Sequence, residues 1–260
     1  MALLDVSGLK KNFGGLQAVQ GFDLSVVSGE IVGVLGPNGS GKTTIFNVLT
    51  GIYPANGGRA TFDSGRHELL GLKQHRITAA GVARTFQNQR LFNDMTVLEN
   101  VCVGHHCRTH AGIAGILLGL PSARAEKARV IAETRDLLAV FGDRLLPQAD
   151  ELASSLSYAN RRRLEIARAL ATRPKLLLLD EPAAGMNQTE SRELMADILR
   201  IRERGITIML IEHDMSVVRG ISDRVVALDH GVKIVEGDFA TVRRHPQVIE
   251  AYLGRRAAHA

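Results

Sequence analysis

The chain has 260 residues, 45% of them hydrophobic, with a formal net charge of +5. That length suits one large domain, or a core domain with a smaller lobe. Two cysteines, Cys102 and Cys107, exclude a disulfide scaffold and match no common zinc spacing.

The longest notable apolar run, residues 112–120, is too short for a bilayer span, which takes about 20 residues. The first residues lack the charged-then-apolar layout of a signal peptide. A reducing, cytoplasmic setting is therefore expected. The basic excess is spread along the chain. Such a balance favours nucleic acid or an anionic membrane surface in some proteins, but an ordinary solvated surface explains a spread charge as well. Its densest cluster, Arg161 to Arg163, lies inside a predicted helix, and no nucleic-acid partner is expected.

In chain order, residues 4–9, 18–27, 31–35 and 57–62 read as strands. After the third comes Gly-Pro-Asn-Gly-Ser-Gly-Lys-Thr at 36–43, which fits G-x-x-x-x-G-K-[ST] at every fixed position. A helix is predicted from Thr43 to Leu49, so the loop has the strand–glycine loop–helix setting that this motif requires. Gly36, Gly39 and Gly41 let the backbone turn its N–H groups inward, where they and the helix N-terminus cradle an anion. Lys42 then reaches β- and γ-phosphates, and the Thr43 hydroxyl ligates Mg²⁺.

Residues 96–103 and 124–141 read as helices. The second places Ala128, Ile131, Leu137, Leu138 and Val140 on roughly one face. Between them, 104–123 reads as a loop or short helical hairpin. From about residue 162 helix and strand alternate: a helix at 162–172 that stops before Pro174, a strand at 175–180, a helix at 189–204 and a strand at 207–211. Such alternation predicts a largely parallel sheet covered by helices on both faces, with ligands at the carboxyl ends of its strands. The glycine loop, Asp180 and Glu212 all fall at such ends. Asp180 closes a four-leucine strand and is suited to hold Mg²⁺, usually through water, opposite Thr43. The adjacent Glu181 is placed to polarise an attacking water.

The stretch Leu156-Ser-Tyr-Ala-Asn160, followed by a basic, alanine-rich helix, resembles the signature segment of ATP-binding-cassette ATPases, usually Leu-Ser-Gly-Gly-Gln. The resemblance implies an α/β P-loop ABC ATPase: a RecA-like parallel-sheet core, an antiparallel β subdomain and an α-helical subdomain at about 88–165, together one nucleotide-binding domain over 1–260. It implies contacts to ATP along Gly36, Asn38, Gly39, Ser40, Gly41, Lys42, Thr43 and Thr44. Gln87, in Arg84-Thr-Phe-Gln87, is similar to the glutamine that senses Mg²⁺ and water. His213, in Ile211-Glu-His213, is similar to the switch histidine that contacts the γ-phosphate. Phe13 corresponds to the aromatic residue that stacks on adenine, and Ala184-Gly-Met-Asn187 to the loop that crosses the dimer interface. Ser157 and Ala159 then face the ATP of a partner subunit.

Residues 81–92, 95–100, 162–170, 180–185 and 248–254 narrow the resemblance to the LivG-type ATP-binding subunit of bacterial branched-chain amino-acid importers. The stretch near 104–125 takes the place of that group's insertion. The implied partners are a LivF-type second ATPase subunit or a second copy of this chain, two transmembrane permeases and, indirectly, a periplasmic binding protein. The implied location is the inner face of the plasma membrane. Import of amides, urea or aromatic acids, and lipid export, are alternative readings. A cassette acting on ribosomes or DNA typically has two cassettes or a long coiled-coil insertion, and this chain has neither. Intact Glu181 and His213 argue against a non-hydrolysing regulatory subunit.

Three positions depart from the pattern. Tyr158-Ala-Asn160 replaces Gly-Gly-Gln, Asn187 stands where the wider family has Asp, and Gln188 replaces the usual Pro. If Ala159 had a positive φ, alanine would cost about 1 kcal/mol or more there. The expectation that follows is a weakened signature and two unequal sites.

Overall fold

The apolar runs of the first third become two long strands, because their inward positions alternate with solvent-facing ones. The structure, a computed structural model, describes residues 2–87, 90–109 and 120–257. Within them the chain divides into two units, residues 1–84 with 175–260, and residues 85–174.

In the first unit, β1 (Ala2–Phe13) pairs antiparallel with β2 (Leu16–Val27) and with β4 (Gly57–Phe62), and β4 pairs with the short β5 (His67–Glu68). A six-stranded sheet carries β3 (Ile31–Leu35), β6 (Val82–Arg84), β7 (Leu176–Asp180), β8 (Thr207–Ile211), β9 (Arg224–Asp229) and β10 (Val232–Gly237). Its order is β10-β9-β3-β8-β7-β6, parallel throughout except for β10, which returns antiparallel along β9. Every residue of β3, β7 and β8 is buried, as expected of central strands covered on both faces. One core joins the two sheets and α1 (Lys42–Leu49): Ile45, Phe46 and Leu49 of the helix share it with Leu4, Phe22 and Phe62 of the antiparallel sheet and Leu178, Met209 and Val226 of the six-stranded one. The remaining helices of this unit are α2 (Gln74–Ala80), α6 (Gln188–Glu203), α7 (Met215–Ile221), α8 (Phe239–Arg244) and α9 (Pro246–Ala257).

The second unit holds α3 (Val97–Gly104), α4 (Pro121–Leu138) and α5 (Tyr158–Leu170) with short 3₁₀ turns. Thr96 and Glu99 form a capping box at the start of α3. The buried Asn100 then secures the approach to it, donating to the carbonyls of Phe92, Met95 and Thr96.

Several elements differ from the sequence expectation. α4 stops at Leu138, and its buried positions are Thr134 and Leu138, while Ala128 is exposed. Gly142 adopts a non-helical conformation, so Val140 lies in a 3₁₀ turn beyond the helix. α5 starts at Tyr158, not Arg162, because Ser157 caps it. Of the predicted loop or hairpin at 104–123, His105–Arg108 forms a 3₁₀ turn and Pro121 opens α4, while 110–119 lie outside the described residues. Both cysteines are free. No helix among the described residues is long and apolar enough to cross a membrane.

Candidate functional site

Strand β3 delivers the glycine loop, and the fold leaves it no room for other residues at two places. A Cβ on Gly36 would lie 2.3 Å from the Leu228 carbonyl oxygen, and one on Gly41 would lie 2.5 Å from that of Ala18. Gly41 also has φ 103°, in the left-handed region that glycine favours. It precedes α1 and offers no side-chain cap, so the amides of the first turn are not consumed by a capping side chain. Lys42 is buried, and its ammonium donates to the carbonyls of Gly36 at 2.7 Å and Pro37 at 3.0 Å. The loop therefore wraps its own cation. Ser40 is fully buried; its carbonyl accepts from Gly231 N–H at 3.0 Å, while its Oγ has no hydrogen-bond partner. Asn38, Gly39, Thr43 and Thr44 share this loop and helix start.

Sheet register sets the carboxylates beside it. Asp180 pairs with Ile211, and Ile211 with Val34, two residues before Gly36. Two strand spacings, about 10 Å, therefore separate the end of β7 from that of β3. Asp180 is 2% exposed. One of its oxygens accepts from Arg84 Nη2 at 2.7 Å, and the other, Oδ1, is buried without a hydrogen-bond partner. Arg84 also donates to Asn47 Oδ1 at 2.7 Å and lies over the Phe46 ring. A buried, unclaimed carboxylate oxygen is costly and fits a hydrated divalent cation, so the donor set suits Mg²⁺.

Glu181 follows at φ 48°, one of a few non-glycine residues with a left-handed backbone. That turn takes it off the strand, and its N–H reaches the Ile211 carbonyl at 2.9 Å. Its Oε1 lies 2.6 Å from His213 Nε2. Behind the pair sits Glu212, 3% exposed, accepting from Ala183 N–H at 2.7 Å and His213 N–H at 3.2 Å. Burial raises the Glu212 carboxyl above its ordinary range, against the pull of those two N–H groups. Glu212 thus ties the turn after β7 to the turn after β8. Sequence reasoning placed it at a strand end without giving it a role; its position between Ile211 and His213 was the available signal.

Phe13 ends β1 with 41% of its surface exposed. Tyr53 packs on it edge to face at 5.1 Å, and the Lys11 ammonium lies 4.8 Å from the Phe13 ring centre. Tyr53 and Lys11 were not singled out in the sequence. They leave an aromatic surface open on the hairpin whose Ala18 carbonyl meets Gly41.

Gln87, Ser157 and Ala159 belong to the second unit. Ser157 Oγ accepts from Asn160 N–H at 3.3 Å and so closes the start of α5. Ala159 is buried inside that helix and has no positive φ. The strain considered for alanine at this position does not arise, because the helix has already begun. Asn160 instead donates to the Arg144 carbonyl and to Gln148 Oε1, each at 3.3 Å. The basic cluster is not a surface patch, since Arg162 and Arg163 are each 1% exposed. Arg162 donates to the carbonyls of Phe86 at 2.7 Å and Gln87 at 3.1 Å, and Glu165 accepts from Phe86 N–H at 3.0 Å. Arg162 and Glu165 also pair at 3.0 Å. A buried ion pair on α5 therefore grips the backbone that carries Gln87.

A glycine loop around a buried lysine, with carboxylates in register two strands away, defines a nucleotide-hydrolysing site. The profile described as ABC transporter matches residues 19–184, and the chain belongs to that family of ATP-binding cassettes, as an ATPase. A second profile, described as branched-chain amino acid ATP-binding cassette transporter, matches residues 232–258. The chain is 43% identical over 253 residues to the high-affinity branched-chain amino acid transport ATP-binding protein BraF of Pseudomonas aeruginosa, covering 97% of this chain and 98% of BraF. It is 45% identical, with the same coverage, to LivG of Escherichia coli. Within the cassettes it therefore belongs with the LivG and BraF proteins. Its fold is similar to the ADP conformation of MJ1267, an ATP-binding cassette of an ABC transporter, with a TM-score of 0.83, 29% identity and coverage of 98% and 99% of the two chains.

Proposed function

We propose that this chain is the ATP-hydrolysing subunit of an importer for branched-chain or other hydrophobic amino acids. The observation that carries the hydrolytic part is the 2.6 Å contact between Glu181 and His213, at strand ends in register with the loop around Lys42. The names of the BraF and LivG relatives support the cargo. The whole chain acts as one nucleotide-binding domain, with a helical subdomain at about 88–165.

In this reading the loop from Gly36 to Thr44, through its amides after Pro37, and the Lys42 ammonium hold the β- and γ-phosphates. Phe13 stacks on the adenine. Thr43, Gln87 and the unclaimed oxygen of Asp180 would hold Mg²⁺, which would neutralise phosphate charge when bound. Glu181 takes a proton from the attacking water as the new P–O bond forms and the bond to the ADP oxygen breaks. His213 orients Glu181 and contacts the γ-phosphate. Ser157 and Ala159 face the nucleotide of a second subunit, either a LivF-type protein or another copy of this chain. The pair docks on two permeases at the inner face of the membrane, fed by a periplasmic binding protein.

The test is Mg-ATP hydrolysis by this chain alone, then with its sister subunit and permeases in liposomes loaded for leucine uptake. Assembly is expected to stimulate hydrolysis and uptake together, and Glu181→Gln to lower turnover by about 10²- to 10⁴-fold. Hydrolysis that persists in Glu181→Gln would remove the assignment of the base. Uptake of urea or amides in place of leucine would remove the assignment of the cargo.

A further inference from the structure

The stretch at 248–254 has no part in the site described so far, yet it reaches the phosphate loop. Tyr252 lies on α9, and its phenol oxygen accepts from the Gly36 N–H at 2.9 Å, across 216 residues of sequence. Val248, one turn earlier on the same face of α9, is 2% exposed and anchors that face. Gly36 is gripped at both ends: its N–H by Tyr252 and its carbonyl by the Lys42 ammonium at 2.7 Å. Burial raises the Tyr252 phenol above its ordinary range, with the Gly36 N–H pulling the other way, so it bonds as a neutral hydroxyl. Gly36 is buried, so its N–H is left without a partner when the phenol oxygen is removed.

We infer that Tyr252 is a positioning residue for Lys42, acting through Gly36, and that the C-terminal helix thereby sets the affinity of the site for nucleotide. The inference rests on the reading of Lys42 as the phosphate-holding residue. Without the phenol oxygen, the Leu35–Gly36 peptide loses its fixed acceptor, and rotation about the Gly36 φ and ψ then re-aims the Gly36–Pro37 carbonyl that holds the ammonium.

The test is Tyr252→Phe in the full chain, titrated with the fluorescent analogue mant-ATP and assayed for ATP turnover, with Lys42→Ala as control. The variant is expected to raise the Kd for mant-ATP and the KM for ATP about fivefold, the worth of one hydrogen bond. Its kcat should stay within about twofold, and the Gly36 amide resonance should shift in ¹⁵N spectra. An unchanged Kd, or a fall in Tm and kcat together without a KM change, would overturn the inference by leaving Tyr252 a packing residue. If Lys42→Ala left wild-type affinity intact, the underlying reading of Lys42 would fail instead, whatever Tyr252→Phe did.

Discussion

Two helices of this protein begin where phosphate-binding or signature motifs lie, and they begin in opposite ways. α1 starts from Gly41 in a left-handed conformation with no side-chain cap. α5 starts from Ser157, whose hydroxyl accepts from the Asn160 amide. A helix N-terminus has orphan N–H groups that must be satisfied by something. At α5 the chain satisfies part of that need itself. At α1 the N-cap glycine has no side chain to do so, and the Ala18 carbonyl leaves no room there for a Cβ. On the proposed reading, the end that receives the phosphates is the one left without a cap.

The strongest way to break this comparison is to remove the cation at the open end. Lys42→Ala is expected to weaken ATP binding by about 100-fold or more, read by nucleotide titration, because loop amides then face the phosphate charge alone. Gly41→Ala comes next. It adds a Cβ 2.5 Å from a backbone oxygen at a left-handed residue, and about 2 kcal/mol of stability should be lost in urea melts, with nucleotide affinity falling too. At the closed end, Ser157→Ala should cost about 1 kcal/mol in the same melts, the ordinary worth of an N-cap. An equal loss at both ends would erase the distinction.

The smallest effect concerns Glu212, which holds the turns beside the open end. Its folded carboxyl is raised by burial, so the native state binds the proton more tightly than the unfolded chain. Stability from this group is greatest below the ordinary glutamate range and falls as pH rises through the raised value. Thermal melts of Glu212→Gln lack this term. The difference in Tm, variant minus wild type, should therefore move in the variant's favour as pH rises across that window.

Much of this was legible along the chain. The strand before Gly36, the four leucines before Asp180 and the apolar run at 207–211 carry the central sheet in their composition, because buried parallel strands must be apolar on both faces. The short β6 and the β9–β10 hairpin were not predicted: β6 is three residues long, and β10 is only partly buried. The start of α5 at Tyr158 depends on the Ser157 cap, and the burial of Arg162 and Arg163 within it is not legible from their charge. Their burial depends on Glu165, Phe86 and Gln87, and on Asn160, which accepts from Arg163 at 3.2 Å.

By itself, then, the sequence determined the phosphate loop, the acidic strand end and the family, since these are local patterns whose chemistry needs adjacent residues. Tertiary structure alone decided the rest. It set the register that lines Asp180 up with Ile211 and Val34, the left-handed turn that brings Glu181 to His213, the Arg84 contact that leaves one Asp180 oxygen unclaimed, and the reach of Tyr252 to Gly36. Each is a hydrogen bond or strand pairing between residues far apart in the chain, and such partners are chosen by packing, which no local pattern encodes.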